Sequence, residues 1–72
     1  MDMNAVQAFF NKADAFASHN GMTLTEVREG FARAEMVLQP YHMNGAGTVH
    51  GGALFTLADF AFAAASNSRG QL

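Results

Sequence analysis

Asp59 is the only Asp, Glu, Lys or Arg between Glu35 and Arg69. It stands inside the run Gly51-Gly52-Ala53-Leu54-Phe55-Thr56-Leu57-Ala58-Asp59-Phe60-Ala61-Phe62-Ala63-Ala64-Ala65. The run has no proline, and its Ala and Leu content favours helix. It is apolar on nearly every face, the pattern of a helix buried on all sides. A carboxylate in such a place is costly unless something compensates it. Buried acids without partners have raised pKa values and gather at functional sites, where one can serve as a general base. The competing reading is that Asp59 points through a polar gap to solvent, or caps a neighbouring element.

The start of the same helix offers a second kind of chemistry. Gly51 and Gly52 let a ligand approach the backbone closely. The first amides of a helix lack intrahelical partners, and the dipole there favours negative charge. Together they form an oxyanion hole for a carbonyl turning tetrahedral. The plainer reading is a tight loop-to-helix junction where Gly avoids a clash. A base and an oxyanion donor must each lie near 3 Å from the reacting centre. Eight residues of helix separate Gly51 from Asp59 by roughly 12 Å. One chain therefore cannot bring both to one carbonyl. A two-fold-related copy can, by setting its Asp59 beside the first copy's Gly51.

The elements around this helix follow from periodicity. Residues 3 to 18 predict an amphipathic helix. Val6, Phe9, Phe10, Ala13, Phe16 and Ala17 form its apolar stripe, which is expected to be core. Asp2 is the expected N-cap and Asn20-Gly21 the stop. Met22 to Glu29 is a strand with untidy alternation. Glu29-Gly30 is a turn. Phe31 to Gln39 is a second strand, with Ala32, Ala34, Met36 and Leu38 on the buried face. The two strands make an antiparallel hairpin, ended by Pro40. Tyr41 to Val49 is a loop in which Asn44-Gly45-Ala46-Gly47 tolerates unusual backbone angles. The fold class is α+β.

Composition asks for a partner. Only 14% of the 72 residues are charged, against roughly 25% in average domains. A chain this short buries only about 60% of its unfolded surface. Its apolar surface is thus expected to be covered by copies of itself or by a missing part of its own domain. Net charge is −2 with no basic cluster, which argues against nucleic acid. The absence of cysteine excludes disulfides and thiolate metal sites. His19, His42 and His50 lack helix-face spacing and neighbouring acids, so no metal site is expected. The N-terminus lacks the basic start and apolar core of a signal peptide. The longest apolar stretch is too short to span a bilayer. The expectation is a soluble cytoplasmic protein.

Asn44-Gly45, His50-Gly51-Gly52, Leu54-Phe55 and Leu57-Ala58-Asp59 occur in that order. This arrangement resembles the signature of hotdog-fold acyl-CoA thioesterases, most closely the branch named for phenylacetic acid degradation. The preceding helix and hairpin match that family's N-terminal half in order and length. The resemblance implies a hotdog fold, in which a curved antiparallel sheet wraps a long central helix. The sites would lie between subunits of a homodimer or a dimer of dimers. Residues 1–72 would be the N-terminal part of one such domain. The activity implied is hydrolysis of an acyl-CoA thioester, an aryl- or hydroxyphenylacetyl-CoA among the candidates. Asp59 would be the nucleophile or general base, and the partner's Gly51 amide the oxyanion donor. Asn44 would place its carboxamide near the thioester, and His50 would shape the loop more than react. Gly52, Phe55 and Thr56 would bind substrate. No cofactor is implied, since coenzyme A enters as part of the substrate.

Two departures stand out. Family members commonly carry a small or hydroxyl residue after the Asp, and here it is Phe60. Family domains are near the common size of about 100–150 residues, and this chain ends just after the central helix. The strands expected to follow would come from a longer protein or from other chains. Phe55, Phe60 and Phe62 line an aryl pocket on one reading and belong to the core on the favoured one. Two other functions fit the same residues. One is a hotdog dehydratase or hydratase, which pairs a His with the helix acid. The other is a non-catalytic acyl-CoA-binding or dimerisation module.

Overall fold

Residues 2–69 are described by a computed structural model. Helix α1 spans Met3–Ala13, and a short helix α2 spans Ala15–His19. Strands β1 (Met22–Arg28) and β2 (Phe31–Met36) follow, then a single 3-10 turn at Pro40–His42 and the long helix α3, Gly51–Asn67. The described residues are therefore α+β, with one two-stranded antiparallel sheet.

The expected helix over residues 3 to 18 is broken in two at Asp14. Its backbone turns extended, its N–H closes α1 on Phe10, and its carboxylate accepts from Ala17 N at 3.0 Å to start α2. An Asp side chain competes with the helix for backbone amides, which is why it serves better as a cap than as an interior residue. The break turns the apolar stripe. Val6 and Ala17 are buried and Phe10 packs against the core, but Phe9 and Phe16 are exposed. At the other ends the expected signals hold. Asp2 accepts from Asn4 N at 2.9 Å. Asn20 caps α2, and Gly21 takes φ +73°.

The untidy alternation of β1 has a physical cause. Register runs Met22↔Met36 and Leu24↔Ala34, then slips, so that Glu26 faces Arg33 and Val27 faces Ala32. A bulge inserts one residue and restores the same face to the core. Met22, Leu24 and Val27 are thereby all buried. The carboxamide of Asn11 on α1 grips the strand at this place, accepting from Leu24 N at 2.8 Å and donating to Leu24 O at 3.1 Å. Strand β2 is shorter than expected. It stops at Met36, before Pro40 can act, and Leu38, expected on the buried face, is exposed, as is Val37.

Helix α1 lies along β1 and α3 along β2, over one shared core of Val6, Ala17, Met22, Leu24, Val27, Phe60 and Ala64. The far end of α3 is pinned to the hairpin, where Gly30 N donates to Ser68 Oγ at 2.7 Å. In the single chain α3 is not buried on all sides. Phe60, Ala64 and the following Ser68 form one narrow buried stripe at four-residue spacing, while Phe55, Ala58, Asp59 and Phe62 are exposed. No helix of the described residues is long and apolar enough to cross a membrane.

Candidate functional site at the start of helix α3

The loop leading into α3 is pinned at its base. Met43 pairs with Val49 as an isolated antiparallel bridge, and His50 N donates to His42 O at 2.7 Å. Within it, Asn44 N donates to Thr48 O at 2.7 Å. The Asn44 side chain reinforces this clasp. Its Oδ1 accepts from Ala46 N at 2.9 Å and Thr48 N at 3.2 Å, while its Nδ2 donates to Thr48 Oγ1 at 2.9 Å. An amide nitrogen has two hydrogens to donate. One therefore remains for a ligand, and the oxygen is committed to the loop.

His50 organises the helix start. As N-cap residue, its backbone is extended and its Nδ1 accepts from Gly52 N at 3.1 Å. That bond requires Nδ1 unprotonated, so a neutral ring carries its hydrogen on Nε2. The His50 carbonyl accepts from Ala53 N at 3.0 Å and Leu54 N at 3.3 Å. Gly52, Ala53 and Leu54 thus have partners. Gly51 N has none among the described residues. Of the helix's first amides, Gly51 is the one left to meet an incoming oxygen. A Cβ at Gly51 would meet nothing within 4 Å, whereas one at Gly52 would stand 3.2 Å from His50 Nδ1.

Asp59 sits two turns along α3. It is exposed in the single chain and makes no hydrogen bond or ion pair among the described residues. Thr56 Oγ1 donates to Gly52 O at 2.8 Å, one turn back along the helix. The three phenylalanines of α3 divide. Phe60 is 2% exposed and belongs to the core, while Phe55 and Phe62 are 74% and 70% exposed. Phe60 therefore points away from the face that carries Asp59. The structure groups Asn44, His50, Gly51 and Gly52 around one loop-helix junction. Asp59 stands apart from them on the same chain, by roughly two turns of rise.

Two residues at this junction escaped the sequence reading. Thr48 completes the Asn44 clasp. A hydroxyl residue four positions after Asn in a Gly-rich loop is the signal that would have found it. His42 is 2% exposed, with Nδ1 accepting from Gln39 N at 3.0 Å and Nε2 without a partner among the described residues. A lone His between Tyr41 and Met43 carries no such signal. Elsewhere, a shallow groove at the α1–α2 break is lined by Phe9, Phe10, Ala13, Asp14 and Ala15. It holds none of the candidate site residues. Among the described residues, no group of three or more His, Cys, Asp or Glu is placed to hold a metal ion.

Comparison with known proteins bears on this junction. Over 67 residues the chain is 43% identical to an Archaeoglobus fulgidus protein named "Putative esterase", covering 93% of this chain and 44% of that protein. It is 46% identical over 57 residues to the acyl-coenzyme A thioesterase PaaI of Escherichia coli, covering 79% of this chain and 41% of that one. A Deinococcus radiodurans protein, also named as an esterase in the same terms, is 36% identical over 62 residues, covering 86% of this chain and 42% of its own length. The chain thus spans less than half the length of each of these relatives. No solved structure matches it at the same stringency. The profile of the family described as a domain of unknown function, DUF4442, matches residues 3–69, and the chain belongs to that family.

Proposed function

We propose that the junction at the start of α3 is half of a thioester-hydrolysing site, and that its substrate is an acyl-coenzyme A. The observation that carries this reading is the Gly51 amide. Among the described residues it is the one early amide of α3 without a partner, held at a helix start by a His50 cap that occupies its neighbour. Such an amide stabilises the oxygen of a thioester carbonyl as it becomes tetrahedral. Similarity to proteins named esterase and acyl-coenzyme A thioesterase supports the same chemistry.

The carboxylate in this reading is Asp59 of a second copy. It attacks the carbonyl carbon or removes the proton from the water that does, and the thiolate of coenzyme A leaves. Asn44 retains one amide hydrogen for the substrate while its oxygen holds the loop. Gly52 and Thr56 shape the first turn, and the exposed Phe55 faces the acyl group, for which an aryl group is the best candidate. The surrounding architecture is a hotdog domain of which residues 1–72 form the N-terminal part. Further strands continue the sheet, and α3 becomes its central helix. No cofactor takes part.

The test is release of free coenzyme A from a panel of acyl-coenzyme A esters, followed with a thiol reagent. Hydrolysis is expected for at least one aryl ester, and its loss in Asp59→Asn. A protein that binds these esters without cleaving any would instead be a binding module. One that adds or removes water across an acyl double bond would be a hydratase or dehydratase.

A further inference from the structure

The sequence contains two Asn-Gly pairs, Asn20-Gly21 and Asn44-Gly45. In such a pair the backbone nitrogen of the glycine can attack the asparagine side-chain carbonyl. With no Cβ on the following residue, little hinders the approach. The fold treats the two pairs differently. Gly21 N donates to Ser18 O at 3.1 Å, and Asn20 Nδ2 donates to Phe16 O at 3.0 Å at the end of α2. That nitrogen must first leave its helix-end bond. Gly45 N has no hydrogen-bond partner among the described residues. Both Asn44 and Gly45 are exposed. The two backbone N–H groups on Asn44 Oδ1 draw electron density from the carbonyl carbon, as the donors of an oxyanion hole do.

We propose that Asn44-Gly45 is a self-modification site, at which the folded protein converts Asn44 through a cyclic imide to aspartate and isoaspartate. The Gly45 nitrogen loses its proton and bonds to Asn44 Cγ. The Cγ–Nδ2 bond breaks, and Nδ2 leaves as ammonia with a proton from water. A second water molecule then opens the five-membered imide at either carbonyl. Opening at one carbonyl gives aspartate, and opening at the other gives isoaspartate, which carries an extra backbone methylene. No oxidant, metal or enzyme is needed. Either product loses the Nδ2 donation to Thr48 Oγ1, and each adds a negative charge to the loop that presents Gly51. The conversion does not require the reaction proposed above, since only the chain itself and water take part, but it alters Asn44, which that reaction uses.

The full-length protein is incubated at mildly alkaline pH, digested and mapped by mass spectrometry, with an isoaspartate-specific methyltransferase as second readout. A denatured sample is run alongside as reference. In the folded protein Asn44 is expected to convert at least about fivefold faster than Asn20, the worth of one backbone hydrogen bond in a barrier. In the denatured sample the two rates should converge. Gly45→Ala should slow conversion at Asn44 and spare the loop, because its new Cβ meets nothing within 4 Å and position 45 has no positive φ. Equal or faster conversion at Asn20 in the folded protein would overturn the proposal. So would an Asn44 that stays intact while the denatured sample converts, or a Gly45→Ala rate equal to wild type.

Discussion

At the scale of single residues, position 51 separates chemistry from folding unusually well. Gly51 is the first residue of α3, and His50 before it has φ −62° and ψ 131°. Proline is at home at the first helical position, and the residue before a proline favours that extended conformation. Gly51→Pro therefore removes one N–H and leaves the helix start intact. Its melting temperature should match or exceed wild type, while hydrolysis falls by about 10² to 10³, the usual loss for one oxyanion donor. Near-normal turnover in a folded Gly51→Pro protein would mean that another group holds the oxygen. Gly52→Ala acts differently. Its Cβ meets His50 Nδ1 at 3.2 Å, so it disturbs the cap while gaining helix propensity, and its effect on turnover should be smaller. His50 can be tested as a capping residue in the same assay. His50→Asn keeps an acceptor for Gly52 N, whereas His50→Ala removes it and should lower stability by about 1 kcal/mol. If His50→Asn retains stability but loses all hydrolysis, the ring has a chemical role beyond the cap.

Elements show where a single sequence is legible and where it is not. The hairpin, its turn at Gly30 and the helix from Gly51 are written in local signals. Alternation, a glycine at positive φ and an apolar helix-forming run each act within a few residues. Gly51 and Gly52 are legible as a helix start for the same reason, because the first amides of a helix are neighbours in the chain, whereas Thr48 and the buried His42 are not. Three features are not local. The break at Asp14 depends on whether a carboxylate finds Ala17 N more readily than solvent, and the periodic stripe of phenylalanines runs straight through it. The bulge after Leu24 is set by pairing with β2, so β1 alone shows only disorder in its alternation. The exposure of Asp59 depends on what covers α3, which the composition of α3 does not record. The helix break yields its own prediction. Asp14→Ala should cost about 1 kcal/mol by denaturant melting, and Asp14→Ser much less. Equal stability of Asp14→Ala and wild type would mean that tertiary packing, and not the cap, starts α2.

At the largest scale the described residues form a rod of 43 × 18 × 17 Å with a radius of gyration of 12.8 Å, above the roughly 11 Å of a compact chain this long. A two-stranded sheet is marginal in water without more strands or covering helices. Here β2 leaves its outer edge unpaired among the described residues, and the open face of α3 carries Phe55 and Phe62 beside Asp59. Residues 1–72 alone should therefore not behave as a well-folded monomer. A compact, cooperatively melting monomer in sedimentation and near-ultraviolet spectra would contradict this. The same open face gives the two-chain site its most direct test. Asp59→Asn and Gly51→Pro should each be inactive as homodimers, because every site lacks one of its two groups. Asp59→Asn should still fold and bind acyl-coenzyme A, with equal or higher stability, since an amide is easier to bury at an interface than a carboxylate. Mixing the two variants changes the count. In a two-fold dimer with one variant in each subunit, one site takes intact Asp59 and intact Gly51 from opposite chains, and the other takes both altered residues. About half the wild-type activity per dimer should return. The mixing is done in the full-length protein, by subunit exchange or co-expression with two affinity tags, so that mixed dimers are isolated before assay. Mixed dimers that form and stay inactive would show that Asp59 and Gly51 do not serve one carbonyl across an interface.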